Sequence, residues 1–105
     1  MQIGAEALTE VHDAADWYDQ RRLGLGGRFL EAFFTAVEAI EQSPDSAPRL
    51  ETLAPTRTSR DIRRRMLPGF PYLVAYEMFR GEPFVLAVYH AHRRPNFWLE
   101  RLPEH

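Results

Sequence analysis

Two histidines and three arginines crowd one short stretch, Tyr89-His90-Ala91-His92-Arg93-Arg94-Pro95-Asn96-Phe97-Trp98-Leu99-Glu100-Arg101. His90 and His92 lie two apart, so on a strand they share a face, a spacing that acid–base pairs and some metal sites use. No third histidine or carboxylate stands close by in sequence, so no metal site is expected, and a hydrogen-bonded structural histidine is the plainer reading. Arg93-Arg94 followed by proline and an aromatic pair could bind nucleic acid through phosphate contact and base stacking. Phe97 and Trp98 would equally serve as a plug that seals a core.

A second basic group is Arg60, Arg63, Arg64 and Arg65. Alternation along a strand sends Arg63 and Arg65 to one face and Arg64 to the other with Ile62 and Met66. Two neighbouring guanidiniums on one face suit a phosphate or carboxylate, whereas an edge strand kept soluble by charge needs the same residues. Arg64, on the more apolar face, is expected to form an internal salt bridge, with a helix acid as its candidate partner. All thirteen cations are arginine and none is lysine. Residues 1–56 hold ten acids against four arginines and residues 57–105 hold nine arginines against five acids, so the net charge of -2 hides an acidic half and a basic half. There is no cysteine, which removes disulfides, thiolate catalysis and cysteine-ligated zinc together. No Ser/His/Asp arrangement, phosphate-binding glycine loop or catalytically spaced carboxylate pair is present, and no cofactor is expected.

These groups need a scaffold, and 105 residues with 45% hydrophobic side chains make one domain over 1–105 with a packed core. Leu8, Val11, Ala15 and Tyr18 recur at helical spacing, predicting an amphipathic helix over 5–21. The glycines at 24, 26 and 27 mark a tight turn. A second helix carries Phe29/Leu30, Phe33, Ala36/Val37 and Ile40 and is closed by Ser43-Pro44. Residues 44–59, with three prolines, read as a surface loop. Strands follow over 62–67, 72–79 and 84–91, with turns at Pro68-Gly69 and Arg80-Gly81-Glu82. Strict alternation would set Val85, Ala87 and Tyr89 against Leu86 and Val88. The order helix, helix, strand, strand, strand describes an α+β domain whose sheet is apolar on both faces. One helical hairpin covers one face; the tail around Phe97 and Trp98 covers part of the other, and Trp98 and Tyr18 are read as core. The remaining apolar surface or strand edge calls for a partner, met as well by a homodimer as by a heterologous protein. No 18-residue apolar run and no secretory leader is found, so the protein is expected to be cytoplasmic, with no membrane partner.

Six pieces in order carry a resemblance: Ala15-x-Trp17-Tyr18-x-Gln20, then Leu25-Gly26-x-x-Phe29-Leu30, then Pro44, then Ile62-Arg63-Arg64, then Phe70-Pro71-Tyr72-x-x-x-Tyr76, then His90-x-x-Arg93-x-Pro95-x-Phe97-Trp98-x-x-Arg101. Over about Ala5 to Arg101 the chain resembles the RelE/ParE superfamily of toxins from type II toxin–antitoxin systems, closest to the ParE-like, plasmid-stabilisation branch. The resemblance implies an N-terminal antiparallel helical hairpin packed on a three-stranded or four-stranded antiparallel sheet. It also implies a cognate antitoxin encoded by the adjacent gene, in a toxin–antitoxin hetero-oligomer. Family members usually open with a strand before the first helix; here only Met1-Gln2-Ile3-Gly4 precede it, so that strand is expected to be truncated or missing. The messenger-RNA-cleaving members place a basic residue where this chain has Leu73 and use lysines that this chain lacks, while Arg93 matches a basic catalytic residue of theirs. Guanidinium stays protonated and cannot supply a general base, so a nuclease would need His90 or His92 beside Arg93. The reading that follows is a toxin that inhibits growth by binding a macromolecular target, DNA gyrase in the ParE manner. Arg63, Arg65, Arg93, Arg94 and Arg101 are its candidate target or antitoxin contacts. The alternatives are a RelE-like, ribosome-dependent messenger-RNA endoribonuclease and a degenerate, non-toxic member of the family.

Overall fold

The computed structural model describes residues 1–49, 61–94 and 97–102. Arg60, Pro95, Asn96 and most of the expected loop over 44–59 lie outside the described residues. The chain order is β1 (Gln2–Ile3), α1 (Ala5–Arg21), α2 (Leu25–Gln42), β2 (Ile62–Met66), β3 (Tyr72–Phe79), β4 (Glu82–His90) and a short 3-10 helix, Leu99–Arg101. The two helices form one unit packed on a four-stranded sheet of order β1-β4-β3-β2.

Ala7, Val11, Ala14 and Ala15 are the buried stripe of α1, and Phe29, Ala32, Phe33, Ala36 and Ile40 that of α2. The small residues on α1 let the helices approach closely. At the crossing Gly26 has no side chain because a Cβ there would collide with Ala15 O and lie 2.7 Å from Asp19 Cγ, and its amide donates to Asp19 Oδ1 at 2.7 Å. Val74, Tyr76, Val85 and Val88 complete this core from the sheet side.

The sheet is mixed rather than wholly antiparallel. A first strand does exist, two residues long, and it pairs with β4 in parallel through Gln2 opposite Phe84 and Ile3 opposite Val85. The expectation of an all-antiparallel sheet fails because β1 and β4 are joined through the whole helical unit and two further strands, not through a hairpin. β2, β3 and β4 do form the expected antiparallel meander. Its β3–β4 turn has two residues, Arg80 at φ 53° and Gly81 at φ 84°, the left-handed pair whose twist fits a two-residue hairpin.

Strict alternation along β4 is broken. Tyr76 pairs with Val85 but Ala75 pairs with Ala87, so two β4 residues oppose one step of β3. This bulge keeps both Val85 and Val88 in the helix-side core while Leu86, Ala87 and Tyr89 face the other way. On that second face Trp98 is fully buried against Ile62, Ala75, Leu86, Ala87 and Tyr89, with Phe97, Leu99 and Leu102 around it. The tail is therefore the second layer of the sheet. Among the described residues no helix is long and apolar enough to cross a membrane.

Candidate functional site

Between helix α1 and the outer edge of β4 lies a groove of about 480 Å³. Glu10, Asp13, Ala14, Trp17 and Tyr18 form its helical wall, and Val88, Tyr89, His90, Tyr72 and Arg93 the opposite one. The bulge in β4 and the end of β1 at Ile3 create this edge, since nothing of β1 extends past Val85.

Glu10 is the most connected polar group in the groove. Its Oε1 accepts the Val88 amide at 3.0 Å and Arg101 Nη1 at 2.9 Å, and its Oε2 accepts Arg101 Nη2 at 3.3 Å. Arg93 Nη1 lies 3.8 Å from Oε2. One carboxylate thus satisfies an amide of β4, ties α1 to the tail through a fork-on-fork pair, and draws Arg93 to the groove's rim. Arg93 also lies 3.7 Å above the Phe97 ring, and Arg101 covers the same ring at 5.1 Å.

The far end of the groove is aromatic. Tyr18 packs edge-on to Trp17 at 5.1 Å and to Phe70 at 5.0 Å, and Tyr72 meets His90 edge-on at 5.4 Å. Burial raises the Tyr18 hydroxyl above the ordinary tyrosine value, and it raises Tyr72 likewise, with Tyr18 adding to the effect. Both phenols are thus held neutral. The expected core role of Tyr18 is met in part: it packs against the helix-side core but is half-buried and lines the groove.

The structure brings His90, His92 and Arg93 together. The His90 and His92 rings are 5.3 Å apart, and the His92 amide donates to His90 Nδ1 at 3.1 Å, which aims that nitrogen back at the turn. Both histidines are exposed, and His90 alone of the two lines the groove. Arg94 is exposed beside them. Among the described residues no three His, Asp or Glu side chains converge as a metal ion requires.

Arg63 and Arg65 do not join this group. They sit on β2, two strand spacings or roughly 10 Å from β4. Arg63 donates to Asp61 Oδ1 at 2.9 Å, to Asp45 O at 2.9 Å and to Ala47 O at 2.7 Å, with its side chain only 14% exposed. Arg65 reaches Ser46 Oγ at 3.3 Å. The expected salt bridge between Arg64 and a helix acid does not form among the described residues, because Arg64 pairs with Ala75 on the face away from the helices. Arg101, not Arg64, takes the helix acid.

Glu10 and Asp13 are groove residues that no motif includes, and Trp17 entered only as part of the family resemblance, with no site role given to it. A signal for Glu10 was present: it stands three residues after Ala7 and four before Ala14, on the flank of the buried stripe, where a carboxylate needs a partner. No protein-family model matches this chain, and no curated protein matches its sequence.

Proposed function

We propose that this chain is a ParE-like toxin of a type II toxin–antitoxin pair, which inhibits growth by binding a macromolecular target, DNA gyrase in the first place. A cognate antitoxin encoded by the adjacent gene neutralises it. The order of motifs from Ala15 to Arg101 supports the family, and the helical unit on a four-stranded sheet is compatible with it. One observation supports binding over cleavage: the groove that gathers His90 and Arg93 has Glu10 and Asp13 on its opposite wall, with no other arginine among the described residues lining it. A scissile phosphate would meet Asp13, which makes no ion pair among the described residues, while Arg93 and Arg101 are drawn to Glu10 and Arg63 and Arg65 stand on β2.

The ribonuclease is the second reading, favoured by one feature, the meeting of His90, Arg93 and Tyr72 in one groove. There His90 would exchange the proton and Arg93 would stabilise charge on the phosphate.

Controlled expression with and without the neighbouring open reading frame tests both. Growth arrest relieved by the neighbour, with induction of the DNA-damage response and intact messenger RNA, is the expected result. His90→Gln with His92→Gln should leave that arrest in place while circular dichroism shows an unchanged fold. Loss of arrest together with loss of messenger-RNA cleavage in the folded double variant would replace the binding reading with the ribonuclease. Absence of any growth effect would leave the degenerate member.

A further inference from the structure

Beyond Val85 no strand lies on the outer side of β4 among the described residues. β1 ends at Ile3, and the Gly4 amide closes on Val85 O at 2.8 Å before the chain turns into α1. The register on the inner side fixes what the open edge presents. Tyr72 pairs with His90 and Val74 with Val88, and the Ala91 amide donates to Pro71 O at 2.8 Å. In this pattern Val88 and His90 turn their own backbone groups away from β3. The Val88 amide is accepted by Glu10 and the His90 carbonyl accepts the Arg93 amide at 2.9 Å. Among the described residues that leaves the Val88 carbonyl and the His90 amide on the groove side, flanking Tyr89. One acceptor and one donor spaced in this way can pair with a neighbour strand of either direction, and β1, on the same side of β4, runs parallel to it, which sets the direction for a strand continuing that edge.

The groove's side chains state which strand would fit. α1 carries Glu6, Glu10, Asp13, Asp16 and Asp19 against Arg21 alone. Glu10 is engaged by Arg101 and Arg93, but Asp13, which lines the groove, makes no ion pair among the described residues. Trp17 is 46% exposed next to it, and the Arg21 guanidinium lies 3.5 Å over the indole, so this ring already receives one cation from its own chain. Tyr18 and Tyr72, both neutral, complete the aromatic wall.

We propose that the outer edge of β4 takes an extended segment of a partner protein, parallel to β4, that inserts an arginine or lysine side chain between Asp13 and the Trp17–Tyr18 wall. Backbone pairing across Tyr89 gives the segment its register, and the carboxylate and aromatic faces select the basic side chain. Arg93 occupies the Glu10 end, so the basic residue belongs at the Asp13 end. This binding does not depend on toxicity, and it lies on the opposite edge of the sheet from Arg63 and Arg65.

The test uses the full chain and three capped synthetic peptides: alternating valine and arginine, alternating valine and glutamate, and the arginine peptide with its valines N-methylated. Titration is followed by indole fluorescence and by amide shifts in two-dimensional NMR. The arginine peptide should bind with shifts centred on Val88 to His90 and on Trp17, more weakly as salt rises, and the other two peptides should not. Asp13→Asn should weaken it about fivefold, the size of one exposed charge pair, while Asp16→Asn changes it by less than about twofold. Equal binding of the glutamate or N-methylated peptide, shifts centred on α2, or no binding at millimolar peptide overturns the proposal. So does concentration-dependent self-association that shifts Val88 to His90 without any peptide, since a second copy would then own the edge.

Discussion

Removing the Glu10 carboxylate should unfasten three elements at once. In Glu10→Ala the Val88 amide loses its acceptor, and Arg101 is left with its side chain 18% exposed and no carboxylate in front of it. An unsatisfied amide costs about 1–3 kcal/mol and a lost charge-assisted hydrogen bond about 1.5–3 kcal/mol. Both groups sit at a groove where water can replace part of the loss, so the sum settles near 3 kcal/mol, the low end of what breaking a buried pair costs. For 105 residues that is a fall in Tm of roughly 10–20 °C. Glu10→Gln keeps an acceptor for Val88 and should lose about half as much. Urea unfolding followed by the fluorescence of buried Trp98 measures each variant, and a double-mutant cycle with Arg101→Ala should return a coupling of about 2 kcal/mol. A Glu10→Ala loss below about 1 kcal/mol, or a coupling indistinguishable from zero, would show that the tail is held by Trp98 alone and that the carboxylate is incidental.

Trp98→Ala should cost about 3–5 kcal/mol, because the indole is wholly buried between tail and sheet, whereas Arg94→Ala should leave the urea midpoint nearly unchanged. Gly26→Ala should destabilise by about 1–3 kcal/mol through its collision with Ala15 O, visible as a lower Tm; an unchanged Tm would mean that the helices slide apart freely. Burial raises the Tyr76 hydroxyl above its ordinary value near 10, against the opposing pull of Arg63 and Arg65, and that hydroxyl donates to Pro44 O at 2.7 Å. A pKa raised on folding means that the folded state keeps the proton while the unfolded chain gives it up, so this stabilisation is complete below about pH 10 and is lost as pH rises through the folded value. Tyr76→Phe should therefore lower stability by about 1–2 kcal/mol at neutral pH and flatten the alkaline fall in urea midpoint, and an unaltered alkaline slope would assign that fall to other groups.

The helices were legible because a 3.6-residue stripe of apolar side chains has one solution: α1 runs over Ala5–Arg21, the span read from Leu8, Val11, Ala15 and Tyr18. The last two strands of the meander were legible for a similar reason, β-branched and aromatic runs between turn residues, and β2 by the alternation of Ile62, Arg64 and Met66 with Arg63 and Arg65. The bulge was not. Val85-Leu86-Ala87-Val88 is uniformly apolar, so no polar residue marks the place where alternation slips, and only the pairing with Ala75 and Tyr76 decides it. β1 was read only as a strand truncated or missing, because two residues show no period, and its direction depends on a partner about eighty residues away. The groove was legible only in fragments. His90 and Arg93 stood out by type, but Asp13 and Trp17 face them across a tertiary contact that sequence spacing does not encode.

The basic half of the chain is better understood as two fastenings than as one charged surface. Arg63 spreads its donors over a carboxylate and two loop carbonyls, holding residues 45 to 47 against one edge of the sheet. Arg101 does the same at the other edge, spanning both oxygens of Glu10 and the Leu86 carbonyl at 3.4 Å. Each joins an irregular segment to the sheet through several acceptors set in different directions, which a planar five-donor fork reaches and a single ammonium does not. An all-arginine cation set therefore has a structural use here, on the chain's own carboxylates and carbonyls, that requires no bound anion. Subtracting these two leaves, among the described residues, the exposed Arg93 and Arg94 after β4, Arg64 and Arg65 on the far strand and Arg80 in the β3–β4 turn. Acidic α1 faces Arg93 across the open edge of β4, so the charge asymmetry read from the two halves of the sequence reaches this groove as a single arginine against Glu10 and Asp13.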